Sequence, residues 1–483
     1  RFYCEIQIHV SMPCSFVWIS PLFSLIHGLR SSVGEEFAAQ GSKLHLVSGG
    51  DQPRPWEYWN LCEGSFSCTP LGMYGADQEA QDAASKRFLL FSSYGGGFNN
   101  ERHSLELAFS LAYLWNRTLV LPPYMGHPNS KDDLFAVEES WDLDALQEAV
   151  RVMSTEDFRR HVLDHPEDLG VTEDIANRLE TLPKMTSFKD GEFHGWLKGV
   201  ELVAEKVLDN HLESFVVIGD GEESLEAEDG ELLYREFAGD REPLMLTKEQ
   251  RDKTALYIPP GTLLGNFYST IYVHDNLKTW QLRNAVRRSV HLRREYFEAA
   301  QAVMEKARLV PGVFGAMHIR QDDWSAEHGL NASNPQQFLT HKSIRDFLKS
   351  HGRLYLAVKT TSDEHDAVFE TLIPYLQDNM RAPREVILLG GDVREAGERI
   401  AGRMQTWDGI VEMIICSQAH AFVGSWGSTY TGYIQRLRGY MPEVMDKRML
   451  FFDSEKDDGV SFPTWKKHYE GWAREWSEAF GSF

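Results

Sequence analysis

The chain has 483 residues, of which 42% are hydrophobic, and a formal net charge of −23. Because this length exceeds what one ordinary hydrophobic core holds, the sequence predicts a folded protein of two domains. The charge excludes proteins that bind nucleic acid through a broad basic face, and we expect no nucleic-acid partner. A local basic pocket for a nucleotide is still compatible with an acidic chain.

The N-terminal segment carries no charged side chain from Ile6 to Leu29. This length is sufficient to span a membrane, although prolines and histidines interrupt it. We therefore predict a signal anchor or leader in residues 1–30, with a buried segment as the alternative. Residues 31–86 are rich in Gly, Pro, Ser and Gln, and they are interpreted as a stem or linker.

Sequons and cysteines bear on the compartment of the protein. N-glycosylation sequons begin at Asn116 and Asn331, and both are compatible with a secretory route. With the predicted anchor, they lead us to expect the lumen of the endoplasmic reticulum or Golgi, with type II membrane anchoring. Cys62 and Cys68 flank a short loop, and the sequence leaves a disulfide between them open. Cys416, inside an apolar run, is predicted to be a buried free thiol.

The first ordered domain, residues 87–310, is predicted to begin with a βαβ unit. A strand at 87–91 is followed by a glycine turn at 94–100, a helix from residue 104 and a strand at 118–121. Ligands of open α/β sheets bind at the carboxyl ends of the strands, where this turn lies. The turn has neither Gly-x-Gly-x-x-Gly nor a Walker lysine, so it is not a standard dinucleotide or ATP loop.

Helical spacing recurs farther along this domain. Residues 143–153 are predicted to be helical, and residues 282–307 are predicted to form one long amphipathic helix. A short apolar segment at 255–258 is predicted to be a buried strand. The long helix carries a basic stripe that we interpret as a solvated face, with Arg283, Arg287, Arg288, Arg293 and Arg294.

The second domain is predicted to span residues 311–483. Apolar strands at 312–320, 353–358, 386–389 and 420–424 alternate with helical segments. This alternation predicts a second doubly wound α/β sheet with Rossmann-like connections. The fold class is therefore α/β, with two Rossmann-like domains.

Arg320 ends the first strand of the second domain. A buried arginine at a strand end is costly unless it meets an anion, and its planar guanidinium suits a diphosphate. The alternative is a structural ion pair with Asp322 or Asp323, which follow it. The stretch 424–431 joins a strand to a helix through Gly, Ser and Thr, so it is either an anion site or a plain helix cap.

Polar clusters follow the carboxyl ends of strands in both domains, at residues 95–99, 318–323, 360–364 and 424–430. Such ends meet at one edge of a sheet, so we expect the four clusters to face one cleft. Their agreement favours a ligand site over four unrelated turns. The sequence contains neither Cys-x-x-Cys nor His-Glu-x-x-His, and no metal site is predicted.

Three of these stretches resemble the motifs of one enzyme family. Residues 95–100, Gly-Gly-Gly-Phe-Asn-Asn, are similar to a first glycine motif, and His318, Arg320 and Asp323 match His-x-Arg-x-x-Asp. Residues 412–430 are similar to a last motif that ends in Ser-Thr-aromatic. Over roughly residues 88–440, the chain resembles the GDP-fucose protein O-fucosyltransferase family.

The resemblance implies a GT-B fold, in which GDP-fucose binds in the cleft and the N-terminal domain lies on the acceptor side. It implies transfer of fucose with inversion to a hydroxyl acceptor, such as Ser or Thr of a protein, without a metal or another cofactor. Arg320, which would hold the β-phosphate, and Asn99 would be catalytic. The donor would be bound by Gly96, Gly97, Phe98, Asn99, His318, Arg320, Asp363, Glu412, Ser428, Thr429 and Tyr430.

One position departs from the family pattern. Some relatives carry a glutamate, the candidate base, where this chain has Gly96. Asp323, Glu101 or a neighbouring side chain could accept the hydroxyl proton, and leaving-group stabilisation can dominate where a base is missing. The alternatives are a transferase for a glycan acceptor or another GDP-sugar, and a non-catalytic protein that binds a nucleotide sugar.

Overall fold

The computed structural model contains two α/β sheets with helices packed around them. It describes residues 86–91, 97–125, 135–165, 233–237, 240–244, 254–258, 270–273, 276–319, 342–358, 368–404, 407–425, 428–440, 449–452 and 460–461. The predicted anchor and stem, with Cys62 and Cys68, lie outside these residues. Among the described helices, none is long and apolar enough to cross a membrane.

The N-terminal half is built on a parallel sheet. Its strands are β1 (Phe88–Phe91), β2 (Thr118–Leu121), β3 (Tyr124–Met125), β4 (Phe135–Ala136), β5 (Val152–Ser154), β6 (Leu233–Phe237), β7 (Asp240–Leu244), β8 (Ala255–Ile258) and β9 (Thr270–Val273). The parallel sheet has the order β5-β2-β1-β8, while β3 pairs with β4, and β6 pairs with both β7 and β9, in antiparallel sheets. Its helices are α1 (Phe98–Leu114), α2 (Val137–Ser140), α3 (Leu143–Gln147), α4 (Thr155–Asp164), α5 (Asn276–Ser289) and α6 (Arg294–Lys306).

The C-terminal half is built on a second sheet. Its strands are β10 (Gly315–Ile319), β11 (Arg353–Val358), β12 (Glu385–Ile387), β13 (Ala421–Ser425), β14 (Met449–Phe452) and β15 (Val460–Ser461). They have the order β12-β11-β10-β13-β14-β15, and all are parallel except β15. Its helices are α7 (Lys342–Ser350), α8 (Ile373–Asn379), preceded by a π-helical turn, α9 (Gly391–Ala401), α10 (Trp407–Ser417) and α11 (Thr429–Tyr440).

Both parallel sheets reverse their direction of strand addition beside their first strand. In the N-terminal sheet, β2 and β5 are added on one side of β1 and β8 on the other. In the C-terminal sheet, β11 and β12 are added on one side of β10 and β13 on the other. Ligands of open α/β sheets bind outside the carboxyl ends of strands at such switch points. The ends of β1, β10 and β13 are therefore where a ligand is expected.

Successive side chains of the C-terminal sheet pack on opposite faces of it. Along β11, Leu354 and Leu356 pack in the cluster that contains α7 and α8, whereas Tyr355 and Ala357 pack on the opposite face. All four side chains are buried, as expected for a parallel sheet that is covered on both faces by helices. The two doubly wound sheets confirm the predicted fold class.

The inner faces of the two sheets share one hydrophobic core. Leu89 and Phe91 of the N-terminal sheet belong to the same buried cluster as Tyr355 and Phe422 of the C-terminal sheet. Between them the cluster takes residues from α1, α5, α6, α10 and α11. The halves are therefore joined by packed helices as well as by the chain between Lys306 and β10. The predicted domain boundary at 310/311 falls within that connection.

Two helix predictions are wrong. Residues 143–153 are not one helix, because α3 ends at Gln147 and β5 pairs with β2 as an edge strand. Residues 282–307 form α5 and α6, separated by an extended segment in which Leu292 bridges to Trp141. In both places, pairing with a segment distant in sequence outweighs local helical spacing.

The buried positions correct one interpretation and confirm another. Arg283 is only 7% exposed, so the interpretation of the arginine stripe as a solvated face is wrong at this position. Arg294, in contrast, is exposed and pairs with Glu298. Cys416 is a buried free thiol, as predicted. Its pKa is raised well above the ordinary value by burial.

Candidate functional site

Helices begin beside the switch points of both sheets. In the N-terminal half, α1 begins at Phe98, a short distance after β1, and Gly97 precedes it without a side-chain cap. In the C-terminal half, α11 begins at Thr429 after β13, and the Ser428 carbonyl accepts the first helical hydrogen bond, from Gly432 N. The start of a helix carries a partial positive charge and free N–H groups.

The two helices lie side by side and run in the same direction. Thr429 Oγ1 donates to Asn100 Oδ1 at 2.7 Å, and one turn farther along both helices the Tyr433 hydroxyl lies 3.4 Å from His103 Nδ1. The next contact joins Arg436 to Glu106 at 2.7 Å. Because residue numbers rise together on both helices, the packing is parallel. We call this contact line, with Arg102 included, the α1–α11 seam. Its parallel packing places both positive helix starts together.

Two of the predicted site residues at these starts each have a buried polar atom with no hydrogen-bond partner among the described residues. These atoms are Asn99 Oδ1 and Ser428 Oγ. Asn99 is 5% exposed and Ser428 is fully buried. Ser428 therefore does not cap α11 with its side chain, which removes the plain-cap alternative at this residue. A buried polar atom without a partner is costly, and a bound ligand is one way to satisfy it.

His318 connects the end of β10 to α11. Its Nδ1 lies 2.9 Å from Thr431 Oγ1, and its ring is 4.5 Å from the ring of Tyr430. The Tyr430 hydroxyl donates to the Gly409 carbonyl at 2.7 Å, which ties the start of α11 to α10. These contacts bring three predicted site residues together, because Thr429 and Tyr430 begin α11 and His318 packs against its first turn.

Phe98 is held by an aromatic contact on the other side of the site. Its ring stacks on Trp141, with centroids 5.3 Å apart and planes 11° from parallel. Gly97 is exposed at the start of the same helix. Among the described residues, none would lie within 4 Å of a Cβ at Gly97.

Glu412 lies on α10 and contacts the inner face of the C-terminal sheet. The Tyr355 hydroxyl donates to its Oε1 at 3.2 Å. Burial, reinforced by the negative charge of Asp408, raises the pKa of Glu412 to about 8, although the bond from Tyr355 opposes this rise. The side chain therefore carries a proton at neutral pH and can donate as well as accept hydrogen bonds.

Several predicted residues cannot be located in this arrangement. Gly96, Arg320 and Asp363 lie outside the described residues, as does Asp323. Glu101, the other candidate base, is fully buried in the first turns of α1, so a hydroxyl acceptor would not reach it in this conformation. Within the described ranges, no group of three or more His, Cys, Asp or Glu side chains is arranged to hold a metal ion.

The charged centre of the seam was not predicted from the sequence. Glu106 accepts from Arg102 Nε at 3.1 Å, from the Tyr433 hydroxyl at 3.0 Å and from Arg436 Nη1. Burial would raise the pKa of Glu106, but Arg436 and Arg102 together outweigh it and hold the pKa below its ordinary value. A local signal was the spacing of Arg102 and Glu106 at i and i+4 on one helix.

Comparison with known proteins gives one family match and several structural similarities. The family described as GDP-fucose protein O-fucosyltransferase matches residues 88–441. The structure of POFUT1 in complex with GDP is 14% identical, with 76% of this chain and 98% of that chain covered and a TM-score of 0.41. The structure of fucosyltransferase NodZ from Bradyrhizobium is 13% identical, with 78% and 98% covered and a TM-score of 0.38. No curated protein sequence matches significantly.

Proposed function

Because the chain belongs to the GDP-fucose protein O-fucosyltransferase family, we propose that it transfers fucose from GDP-fucose to a hydroxyl group of a protein, on Ser or Thr. The catalytic class and the donor follow from the family. The acceptor, the residues that bind the donor, the absence of a metal requirement and the compartment are our proposals.

The observation that carries the donor site is the parallel pair of helix starts. Each helix start is equivalent to about half a positive charge, so two adjacent starts favour a doubly charged diphosphate. The bond between Thr429 and Asn100 holds the starts in contact. Arg320 follows His318 by two residues in the sequence. Its side chain would add a full positive charge at the same edge of the sheet.

The two buried atoms without a hydrogen-bond partner suggest which part of the donor each helix contacts. Ser428 Oγ can donate to a phosphate oxygen, which only accepts hydrogen bonds when ionised. Asn99 Oδ1 is an acceptor and needs a donor, which a hydroxyl group of the sugar or of the acceptor supplies. The Thr429 hydroxyl already donates to Asn100, so only the backbone N–H of Thr429 is available to a phosphate. We therefore assign Ser428 Oγ and the Thr429 N–H to the diphosphate, and Asn99 to the reacting hydroxyl side.

The reaction on this site is a single displacement. The acceptor oxygen bonds to the anomeric carbon while the bond from that carbon to the β-phosphate oxygen breaks, and GDP leaves with the electron pair. The helix starts and Arg320 stabilise the negative charge that develops on the leaving phosphate. The hydroxyl proton passes to a base or to water. Of the two named candidates for the base, Asp323 remains, because Glu101 is buried.

Two further parts of the proposal concern the metal requirement and the cellular compartment. Neutralisation of the diphosphate by helix starts and an arginine does not require a divalent ion, so we propose metal-independent turnover. The sequon at Asn116 and the uncharged segment Ile6–Leu29 support a secretory compartment with an N-terminal anchor.

A nucleotide-sugar panel tests the donor assignment. Thermal unfolding of the full chain is measured with GDP-fucose, GDP-mannose, UDP-sugars and a CMP-sugar at equal concentrations. A ligand that binds only the native state raises its stability, and GDP-fucose should give the largest shift in Tm. A larger shift with a UDP-sugar would refute the assignment. Transfer to protein and glycan acceptors with labelled GDP-fucose then decides the acceptor class.

A further inference from the structure

The charged centre of the α1–α11 seam joins the two helices that begin at the donor site. Glu106 lies on α1 and receives hydrogen bonds from Tyr433 and Arg436 on α11. Arg102 of α1 donates to the other carboxylate oxygen. Both guanidinium groups also lie against the Tyr433 ring, at 4.3 Å for Arg102 and 5.2 Å for Arg436. The carboxylate is therefore shared between both helices.

This arrangement opposes a repulsion that the parallel packing creates. Two parallel helices in contact place like dipole ends side by side, and here two arginines also meet at one ring. Arg102, Glu106 and Arg436 are all buried, so water does not screen them. Glu106 supplies one negative charge, which both guanidinium groups share as an ion-pair partner. Without it, Arg102 and Arg436 would each lose a buried ion pair.

We propose that Glu106 is a positioning residue for donor binding, an inference that rests on the proposed function. Its carboxylate sets the rotation and spacing of α11 against α1, and thereby the distance between the helix starts two turns away. The bond from Thr429 to Asn100 depends on that alignment. Glu106 does not touch the donor and acts through the two helices.

The isosteric variant Glu106→Gln removes the charge and keeps the volume. We expect amide hydrogen exchange in the first turns of α11 to become faster in the ligand-free variant. We expect the Kd for GDP to rise by about tenfold, since misaligned helix starts lose at least one charged hydrogen bond to the diphosphate. Tyr433→Phe removes one donor to Glu106 and should change both quantities in the same direction, by a smaller factor.

A variant outside the seam distinguishes a positioning effect of Glu106 on GDP binding from a general loss of stability. Leu348 is fully buried on α7, in the cluster on the opposite face of the C-terminal sheet. Leu348→Ala should lower the Tm at least as much as Glu106→Gln, yet leave the Kd for GDP within about twofold of the parent because the seam is intact. The inference is overturned if both variants weaken GDP binding equally, or if Glu106→Gln binds GDP as the parent does.

A double-mutant cycle with Thr429, measured as GDP affinity, distinguishes alignment of the helix start from a purely structural role of Glu106. If Glu106 acts by aligning Thr429, then Thr429→Ala should weaken GDP binding less in the Glu106→Gln background than in the parent. Equal effects in both backgrounds would contradict the inference.

The failure of the proposed function is distinguishable from the failure of this inference. If the parent protein binds neither GDP nor GDP-fucose, the proposed function is wrong. The hydrogen-exchange comparison does not use a nucleotide, and unchanged exchange in α11 of Glu106→Gln would overturn the alignment role by itself.

Discussion

Gly424 at the end of β13 lies so close to Thr431 in the first turn of α11 that no side chain fits between them. A Cβ at Gly424 would overlap Thr431 Cγ2 and would lie 2.9 Å from Thr431 Oγ1. The same hydroxyl lies 2.9 Å from His318 Nδ1. The close approach therefore seats the start of α11 directly against the carboxyl ends of two neighbouring strands.

Gly424→Ala should displace the first turn of α11. Overpacking of this kind costs about 1–3 kcal/mol, and here the displaced turn carries proposed diphosphate contacts. We expect weaker GDP binding by calorimetry as well as a lower Tm. The double variant Gly424→Ala/Thr431→Ser removes the overlapping methyl but keeps the hydroxyl near His318. It should recover part of the affinity, because the new Cβ would still lie 2.9 Å from Phe422 Cε1.

Gly315→Ala is the matched control for this prediction. Its Cβ would lie 2.9 Å from His351 Cγ and 3.1 Å from Phe347 Cζ, at the amino end of β10. We expect a loss of stability with little change in the Kd for GDP. If both alanine variants weaken GDP binding to the same extent, the position of α11 is not what controls affinity.

Arg320→Ala should abolish transfer and weaken GDP binding. Loss of a charged hydrogen bond costs about 1.5–3 kcal/mol, which corresponds to roughly 10-fold to 150-fold in Kd. Arg320→Lys keeps the charge without the planar fork and should be intermediate. GDP calorimetry and labelled GDP-fucose transfer measure the two effects, and unchanged values for Arg320→Ala would eliminate this residue from the donor site.

Turnover should persist in excess EDTA. The proposed site neutralises the diphosphate with helix starts and Arg320, so chelation removes nothing that the reaction needs. The measurement is the initial rate of fucose transfer before and after extensive chelation. Loss of activity that Mn²⁺ restores would show instead that the leaving group is stabilised by a metal ion.

Stability should depend on pH through Glu412. Its pKa is about 8 in the folded protein against an ordinary value of 4.5. Below pH 4.5 the carboxyl is protonated in both states and imposes no penalty. As the pH rises from about 4.5 to about 8, the unfolded state loses the proton and the folded state keeps it, so folding becomes less favourable. The loss is complete above about pH 8.

Glu412→Gln lacks this titration. Its Tm relative to the parent should therefore increase steadily between about pH 4.5 and about pH 8. A constant difference across this range would mean that Glu412 is ionised in the folded protein. Tyr355→Phe removes the bond that lowers the pKa of Glu412, so the decline should extend to higher pH in that variant.

Local sequence predicted the sheets because their strands are short apolar runs with a buried pattern. The strands predicted at 118–121 and 353–358 have the observed bounds. The strand predicted at 386–389 begins one residue later and ends two residues later than the observed strand Glu385–Ile387. The glycine turn and the Gly/Ser/Thr turn indicate helices after β1 and β13, but α1 begins at Phe98, inside the predicted turn, and not at residue 104.

What local sequence could not predict depends on pairs that are distant in the chain. Leu292 breaks a helical pattern because it bridges to Trp141, and Arg283 is buried although its spacing indicated a solvated face. Glu106 and Arg436 meet across 330 positions, and neither residue alone indicates a partner. The contact follows only from the parallel packing of α1 and α11, which the order of the strands does not specify.

The parallel seam also determines the stage of synthesis and folding at which the protein can first bind GDP. Thr429 and Asn100 are separated by 329 positions, so the two walls of the proposed donor pocket are synthesised far apart in time. A half-chain ending near residue 310 would have one wall and no nucleotide affinity. GDP binding is therefore a reporter of completed folding of both halves together, and a nucleotide supplied during refolding would select molecules in which the halves have docked.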